Sequence, residues 1–279
     1  MSASNAAPAG GVDPRGNLSG GNTSRGVFRA ALGLTLFFYV SGVVFTSAGV
    51  LPDRFRWVAS VVMFLTALTA FLSELKVLDA RTAGLRLVVL GGGLFAVELL
   101  GVRTGYPFGA YSYTSALGLA VGGVPLALAA AWYSAVTISS NLSILALGGR
   151  HAGRWVHALL AGGFTLSLDL VLEPTAAYVE GWWRWAGGEV PPQNYAAWFG
   201  ISTLAAAAVW ERGEAERKSG RKGLLAVSLL LFGGQFFLFA VTGVVHGHVI
   251  PVLAGTALAA APLAAGRLIG RSPKWRAAP

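Results

Sequence analysis

The sequence predicts an all-α fold: a polytopic integral membrane helix bundle of about eight transmembrane helices with both termini in the cytoplasm. Three observations carry that expectation. Of 279 residues, 54% are hydrophobic and only 12% charged, whereas a soluble domain carries roughly 25% charged residues. The charges are separated by apolar runs close to the ~20 residues that a helix needs to cross a bilayer. Lys and Arg collect in alternate connections between those runs, as they do where cytoplasmic loops retain positive charge.

Residues 1–26 are rich in Gly, Ser, Asn, Ala and Pro and have no apolar period, so they read as a flexible tail. They do not read as a secretory signal, because the first apolar run starts near Val27 and is long enough to stay in the membrane. The transmembrane catalytic domain is expected over 27–266, with crossings at about 27–50, 55–73, 84–102, 118–147, 154–177, 195–210, 223–245 and 249–266. The stretch 223–266 has no formal charge and is too long for one crossing, so His246-Gly247-His248 is expected to turn a tight helical hairpin. The uncharged stretch 104–149 divides in the same way. Its first part, 104–118, contains Pro107 with several glycines and tyrosines and reads as non-helical or re-entrant. Residues 267–279 form a basic cytoplasmic tail.

With the N-terminus inside, seventeen of the 21 Lys and Arg residues fall on the inner side, leaving Arg54, Arg56, Arg103 and Arg184 outside. The formal net charge of +9 therefore reports orientation in a multi-pass protein of the cell inner membrane. No nucleic-acid partner is expected. With no cysteine, a disulfide framework, a thiolate metal site and a cysteine nucleophile are excluded.

Ionisable groups inside a span cost on the order of 2.5–3.5 kcal/mol each on insertion scales, so they tend to mark function. Glu98 in the third span and Asp169 and Glu173 in the fifth qualify. All three fall in the outer half of the bilayer. Asp169 and Glu173 are four apart and share a helical face, and Pro174 directly after them frees or bends backbone. The outer connections hold Arg103, Tyr106, Phe108, Tyr111 and Tyr113, then Trp182-Trp183-Arg184-Trp185, Asn194, Tyr195 and Trp198, then His246 and His248. One polar, aromatic-walled chamber opening toward the outer half would gather them.

Plainer readings stand beside that one. Trp and Tyr at helix ends often form an interfacial belt. Glu98 could pair with Arg103 at its helix end, and His157 could pack or snorkel near the inner surface. His246 and His248, two apart without a third ligand nearby, do not read as a metal site, and no cofactor is expected. Asp169 with Glu173 is harder to explain as structure alone. Two acids in one site repel, so a protonated acid sits beside an ionised one and the pair can give one proton and take another. Aromatic faces stabilise a developing cation by about 0.5–2 kcal/mol per good contact. Such a set suits isoprenoid double-bond chemistry.

The segments ELLGVRTGYPFGAYSY from Glu98 to Tyr113, GGVPLALAAAW from Gly122 to Trp132, DLVLEP from Asp169 to Pro174, WWRW, and PPQNYAAW ending at Trp198 resemble the integral-membrane carotenoid 1,2-hydratases of the CruF type. The resemblance implies a cofactor-free hydro-lyase that takes an acyclic carotenoid of the lycopene or gamma-carotene type from the lipid membrane. It would add water to the terminal double bond, giving a tertiary alcohol. Asp169 is the first choice for the acid, with Glu173 or Glu98 next. Tyr106, Phe108, Tyr111, Tyr113, Trp183 and Trp185 would stabilise the cation, and Arg103, Trp132, Asn194 and Trp198 would lie at the substrate. Other carotenoid-pathway enzymes are the partners it suggests. A lycopene cyclase would also handle isoprenoid cations. A prenyltransferase would need aspartate-rich motifs on two helices to hold magnesium diphosphates, and the chain has one Asp-x-x-x-Glu. A proton-coupled transporter would use buried acids as a relay, and no internal symmetry favours it.

Overall fold

The computed structural model describes residues 16–148, 152–210 and 221–270. Its helices are α1 (Gly16–Ser47), α2 (Val58–Glu74), α3 (Ala80–Arg86), α4 (Leu94–Thr104), α5 (Ala127–Leu147), α6 (Arg154–Pro174), α7 (Pro192–Ala208), α8 (Arg221–Val245) and α9 (Val249–Gly270). A π-helical stretch, Leu87–Gly93, joins α3 to α4, and a second, Thr175–Val179, extends α6 past Pro174. Six segments are long and apolar enough to cross a bilayer: Ser24–Ser47, Asp53–Glu74, Ala80–Thr104, Ala127–Leu147, Arg154–Val179 and Arg221–Val245. The architecture is thus the expected all-α polytopic bundle. Two of the eight expected crossings are shorter. α7 has 17 residues and the apolar part of α9 described here is Val249–Ala265.

Local sequence explains where these helices start and stop. The Asp79 carboxylate accepts hydrogen bonds from the Thr82 N–H at 2.9 Å and the Thr82 hydroxyl at 2.9 Å, capping α3. Pro192 opens α7, where its missing N–H has no partner to lose. The hairpin expected at His246-Gly247-His248 forms: α8 ends at Val245, α9 starts at Val249, and Gly247 takes a φ of 87°.

Two boundaries move. α1 begins at Gly16, inside the segment read as a tail, because the chain has no proline between Pro14 and Pro52 to stop an apolar helix from growing backward. Residues 1–15, and residues 271–279 of the basic tail, lie outside the described residues. The fourth crossing begins at Ala127 rather than near Gly118. The residues between make a small hairpin, β2 (Ala120–Val121) against β3 (Val124–Pro125), whose turn uses Gly122 and Gly123 at φ 60° and 88°.

Helix α5 is the central column. Most of its length is buried and Trp132, Tyr133, Val136 and Leu142 are fully enclosed, so it has no lipid-facing stripe to distinguish from a core-facing one. Its polar side chains link neighbours: Asn141 Nδ2 donates to Ser228 Oγ on α8 at 3.0 Å. Beside Trp132, the Tyr133 hydroxyl donates to Glu74 Oε2 at 2.6 Å and Arg86 Nε lies 3.2 Å from Glu74 Oε1. His157 packs, as one sequence reading allows: its ring stacks on Trp210 at 4.2 Å and Nδ1 lies 3.1 Å from Ser143 Oγ.

The α6–α7 pair packs closely at a glycine. A Cβ added at Gly162 would sit 2.9 Å from the Phe199 carbonyl oxygen and closer still to the Thr203 hydroxyl. Gly162→Ala is expected to push the two helices apart and destabilise the fold by about 1–3 kcal/mol, read as a lowered thermal midpoint in detergent. An unchanged midpoint would show that the contact yields freely.

Candidate active site

Two short strands, β1 (Tyr111–Tyr113) and β4 (Trp183–Trp185), pack against α4 and the π-helical extension of α6. They pair antiparallel with Tyr111 opposite Trp185, Ser112 opposite Arg184 and Tyr113 opposite Trp183. Side chains alternate across a strand, so the four rings share one face while Ser112 and Arg184 are exposed on the other. That alternation of aromatic and polar residues, YSY and WRW, was a period-two signal present in the sequence.

The aromatic face points its polar atoms at two carboxylates. Glu98, 3% exposed, accepts from the Tyr111 and Tyr113 hydroxyls through Oε2, the latter at 2.8 Å, and from Trp132 Nε1 through Oε1 at 2.8 Å. Glu173, 1% exposed, accepts from Trp183 Nε1 and Trp185 Nε1, both at 2.6 Å, through Oε1. Hydrogen bonds to a charged acceptor contribute about 1.5–3 kcal/mol each, so five aromatic donors replace the water these acids lose. Burial and the nearby Glu98 carboxylate push the Tyr111 and Tyr113 phenols well above their ordinary range, which keeps both as proton-bearing donors. Gly101 makes the arrangement possible. It lies one turn beyond Glu98 on the same face of α4, and a Cβ there would meet the Phe108 ring at 2.7 Å and the Tyr111 hydroxyl at 3.0 Å.

Asp169 stands one turn from Glu173 on α6 and is 1% exposed. Asn194, from the first turn of α7, bridges the two: its Nδ2 donates to Asp169 Oδ2 at 3.3 Å and to Glu173 Oε2 at 3.5 Å. Asp169 Oδ1 has no hydrogen-bond partner among the described residues. Asp169 also lines an apolar cavity of about 550 Å³ between α1, α2, α5, α6 and α8. Phe37 and Phe45 of α1 line this cavity and are also exposed, so it opens sideways toward the surface that lipid covers. Glu98 and Glu173 instead line a separate void of about 20 Å³ under the strands. Neither lining contains a Lys, Arg or His, so no cationic side chain in these linings balances the three acids.

The structure therefore brings together Glu98, Phe108, Tyr111, Tyr113, Trp132, Asp169, Glu173, Trp183, Trp185, Asn194 and Trp198. Arg103 and Tyr106 stand apart, both exposed at the outer end of α4. Arg103 is not the partner of Glu98, whose two oxygens face aromatic donors. Trp182, Trp183 and Trp185 are 5%, 6% and 8% exposed, which turns them inward and away from an interfacial belt. Sequence reasoning missed the cavity wall contributed by α1, α2 and α8, including Tyr39, Met63 and Gln235. Apolar residues that face a cavity and those that face lipid share one composition, so only the packing separates them. It also missed Glu180, 8% exposed at the cavity's outer end. Burial raises its carboxyl above the usual range, opposed by the charges of Arg56 and His246.

Residues 57–262, which hold the three acids and the aromatic rings that donate to them, match the family described as carotenoid biosynthesis protein. The chain is also similar to bisanhydrobacterioruberin hydratase of Haloarcula japonica, with 34% identity over 166 residues, 57% of this chain. It covers 56% of that relative's length. No solved structure matches. The family match over most of the chain, on a bundle that encloses acids and aromatic rings beside a lipid-facing cavity, places this protein in the carotenoid biosynthesis family.

Proposed function

We propose that this chain is a carotenoid hydratase, a hydro-lyase that adds water to the terminal double bond of an acyclic carotenoid end group. The observation that carries the reading is Asp169: a buried carboxyl with an unpartnered oxygen, set in the wall of an apolar cavity open to the lipid side. A carotenoid already lies in the bilayer, and its end group enters between α1 and the inner helices without crossing water. The similar protein of Haloarcula japonica is named a hydratase.

The steps balance on this chain's own residues. Asp169 in its acid form gives its proton to the less substituted alkene carbon, and the π pair forms the new C–H bond. A tertiary cation remains. Trp182 and Trp198 line the cavity beside Asp169, and their ring faces stabilise the cation by about 0.5–2 kcal/mol per contact. A water oxygen adds to the cation and releases a proton to Glu173, one helical turn from Asp169. Its return to Asp169 closes the cycle. In this scheme α7 and α9 complete eight crossings in the cell inner membrane, with both ends in the cytoplasm and the acids in the outer half.

Expression in a lycopene-accumulating host, with mass analysis of the extracted pigments, tests the reading. Gain of one water per reacted end group is the expected result. New rings at unchanged mass would indicate a cyclase instead, and unchanged pigment with the protein present in the membrane would leave the hydratase reading without support.

A further inference from the structure

The three acids do not share one chamber. Asp169 lines the large apolar cavity, whereas Glu98 and Glu173 line the small void under the strands. The void, about 20 Å³, is large enough for one water, which needs roughly 10–15 Å³ and two or more polar partners. Carboxylate oxygens of Glu98 and Glu173 and the amide of Asn194 supply them. An alkene end group does not fit there. Conversely, the large cavity is walled mainly by apolar side chains, so most of its surface offers water no partner.

Among the described residues one side chain lines both spaces: Trp198. It rises from α7 one turn after Asn194 and stacks on Trp132 with ring centroids 4.1 Å apart and planes within 19°. Trp132 is held in turn by its N–H bond to Glu98 at 2.8 Å. The partition between the apolar and the polar space is therefore anchored to one of the acids.

We propose that Trp198 is the specificity-determining partition of the reaction: it keeps water away from Asp169 and the alkene and admits a single water, from the void between Glu98 and Glu173, to the cation. This rests on the hydratase reading given above. Protonation occurs on the dry side, where Asp169 gives its proton to carbon, and capture draws on the wet side, where the water loses its proton to Glu173. A cation that is not captured has a second exit. It returns a proton to a carboxylate and reverts to alkene.

Deuterium oxide separates the two exits, because a cation that reverts leaves deuterium in the recovered carotenoid while a captured one leaves alcohol. In membranes containing the full-length protein and an acyclic carotenoid, the wild type is expected to give alcohol with little deuterium in unreacted substrate. Trp198→Ala, which merges the two spaces, is expected to raise the ratio of deuterated alkene to alcohol by about tenfold or more, since loss of positioning at a reacting centre costs up to about a hundredfold. Trp198→Phe, which keeps a ring over Trp132, should fall between them and serves if the alanine variant does not fold. Asp169→Asn should lose both products. A ratio that stays at the wild-type value in both Trp198 variants, including a proportional fall of both products, would make Trp198 a packing residue only and overturn the proposal. A wild type that gives neither alcohol nor deuterium incorporation would overturn the hydratase reading itself, and the partition with it.

Discussion

Asp169→Asn should abolish hydration while leaving the amount of protein in the membrane unchanged. The amide keeps the size of the side chain and can still meet Asn194, so the packing around α6 and α7 is preserved. What it cannot do is deliver a proton to carbon. A positioned general acid contributes about 10²–10⁴-fold, and among the described residues Glu180 is the one other carboxyl in the cavity's lining. Product measured by mass in the lycopene-accumulating host should fall by that factor or below detection. Full activity would move the acid to Glu180 in the same lining, or to Glu173 or Glu98, which face the small void rather than the apolar cavity.

The second large effect is on stability and lies in a buried ion pair on the other side of α5's Trp132–Tyr133 step. Glu74 and Arg86 form a pair whose side chains are 1% and 4% exposed, and Tyr133 completes the Glu74 site. Removing one partner of a buried pair leaves an uncompensated charge at about 3–5 kcal/mol, whereas removing both is often close to neutral. Arg86→Met should therefore lower the thermal midpoint of the purified protein in detergent strongly, and adding Glu74→Leu should restore much of the loss. A double variant as unstable as the single one would show that the cluster stabilises by packing rather than by charge. Because Tyr133 neighbours Trp132 on α5, this pair also supports the rotation of α5 that carries Trp132 to Glu98.

Arg86 shows the limit of reading charge from sequence. By position it belongs to the basic inner connections that set orientation, yet it is buried against Glu74. A positive residue near the end of a span satisfies the positive-inside pattern whether its side chain reaches water or a carboxylate. Glu98 shows the reverse case. Its burial was legible, because a lone acid fourteen or so residues into an apolar run has few places to go. Its partners were not. Arg103 was the nearest candidate along the chain, and the donors came from β1 and from α5, segments whose approach depends on the turn at Gly105 and on the missing side chain at Gly101.

What the sequence by itself determined was the class of protein and which acids lie inside its apolar runs. Burial of a polar group in lipid is costly enough that composition and charge spacing decide which runs span, and three acids inside those runs stand out against that cost. Only the tertiary structure decided how the acids are divided. Asp169 and Glu173, one turn apart on α6, line a large apolar cavity and a small void separated by a tryptophan from α7, the void lying under two strands about seventy residues apart in the chain. Helical periodicity places residues on a face within one helix. Which neighbouring helix covers that face is set by close packing between segments distant in sequence, and there the site takes its shape.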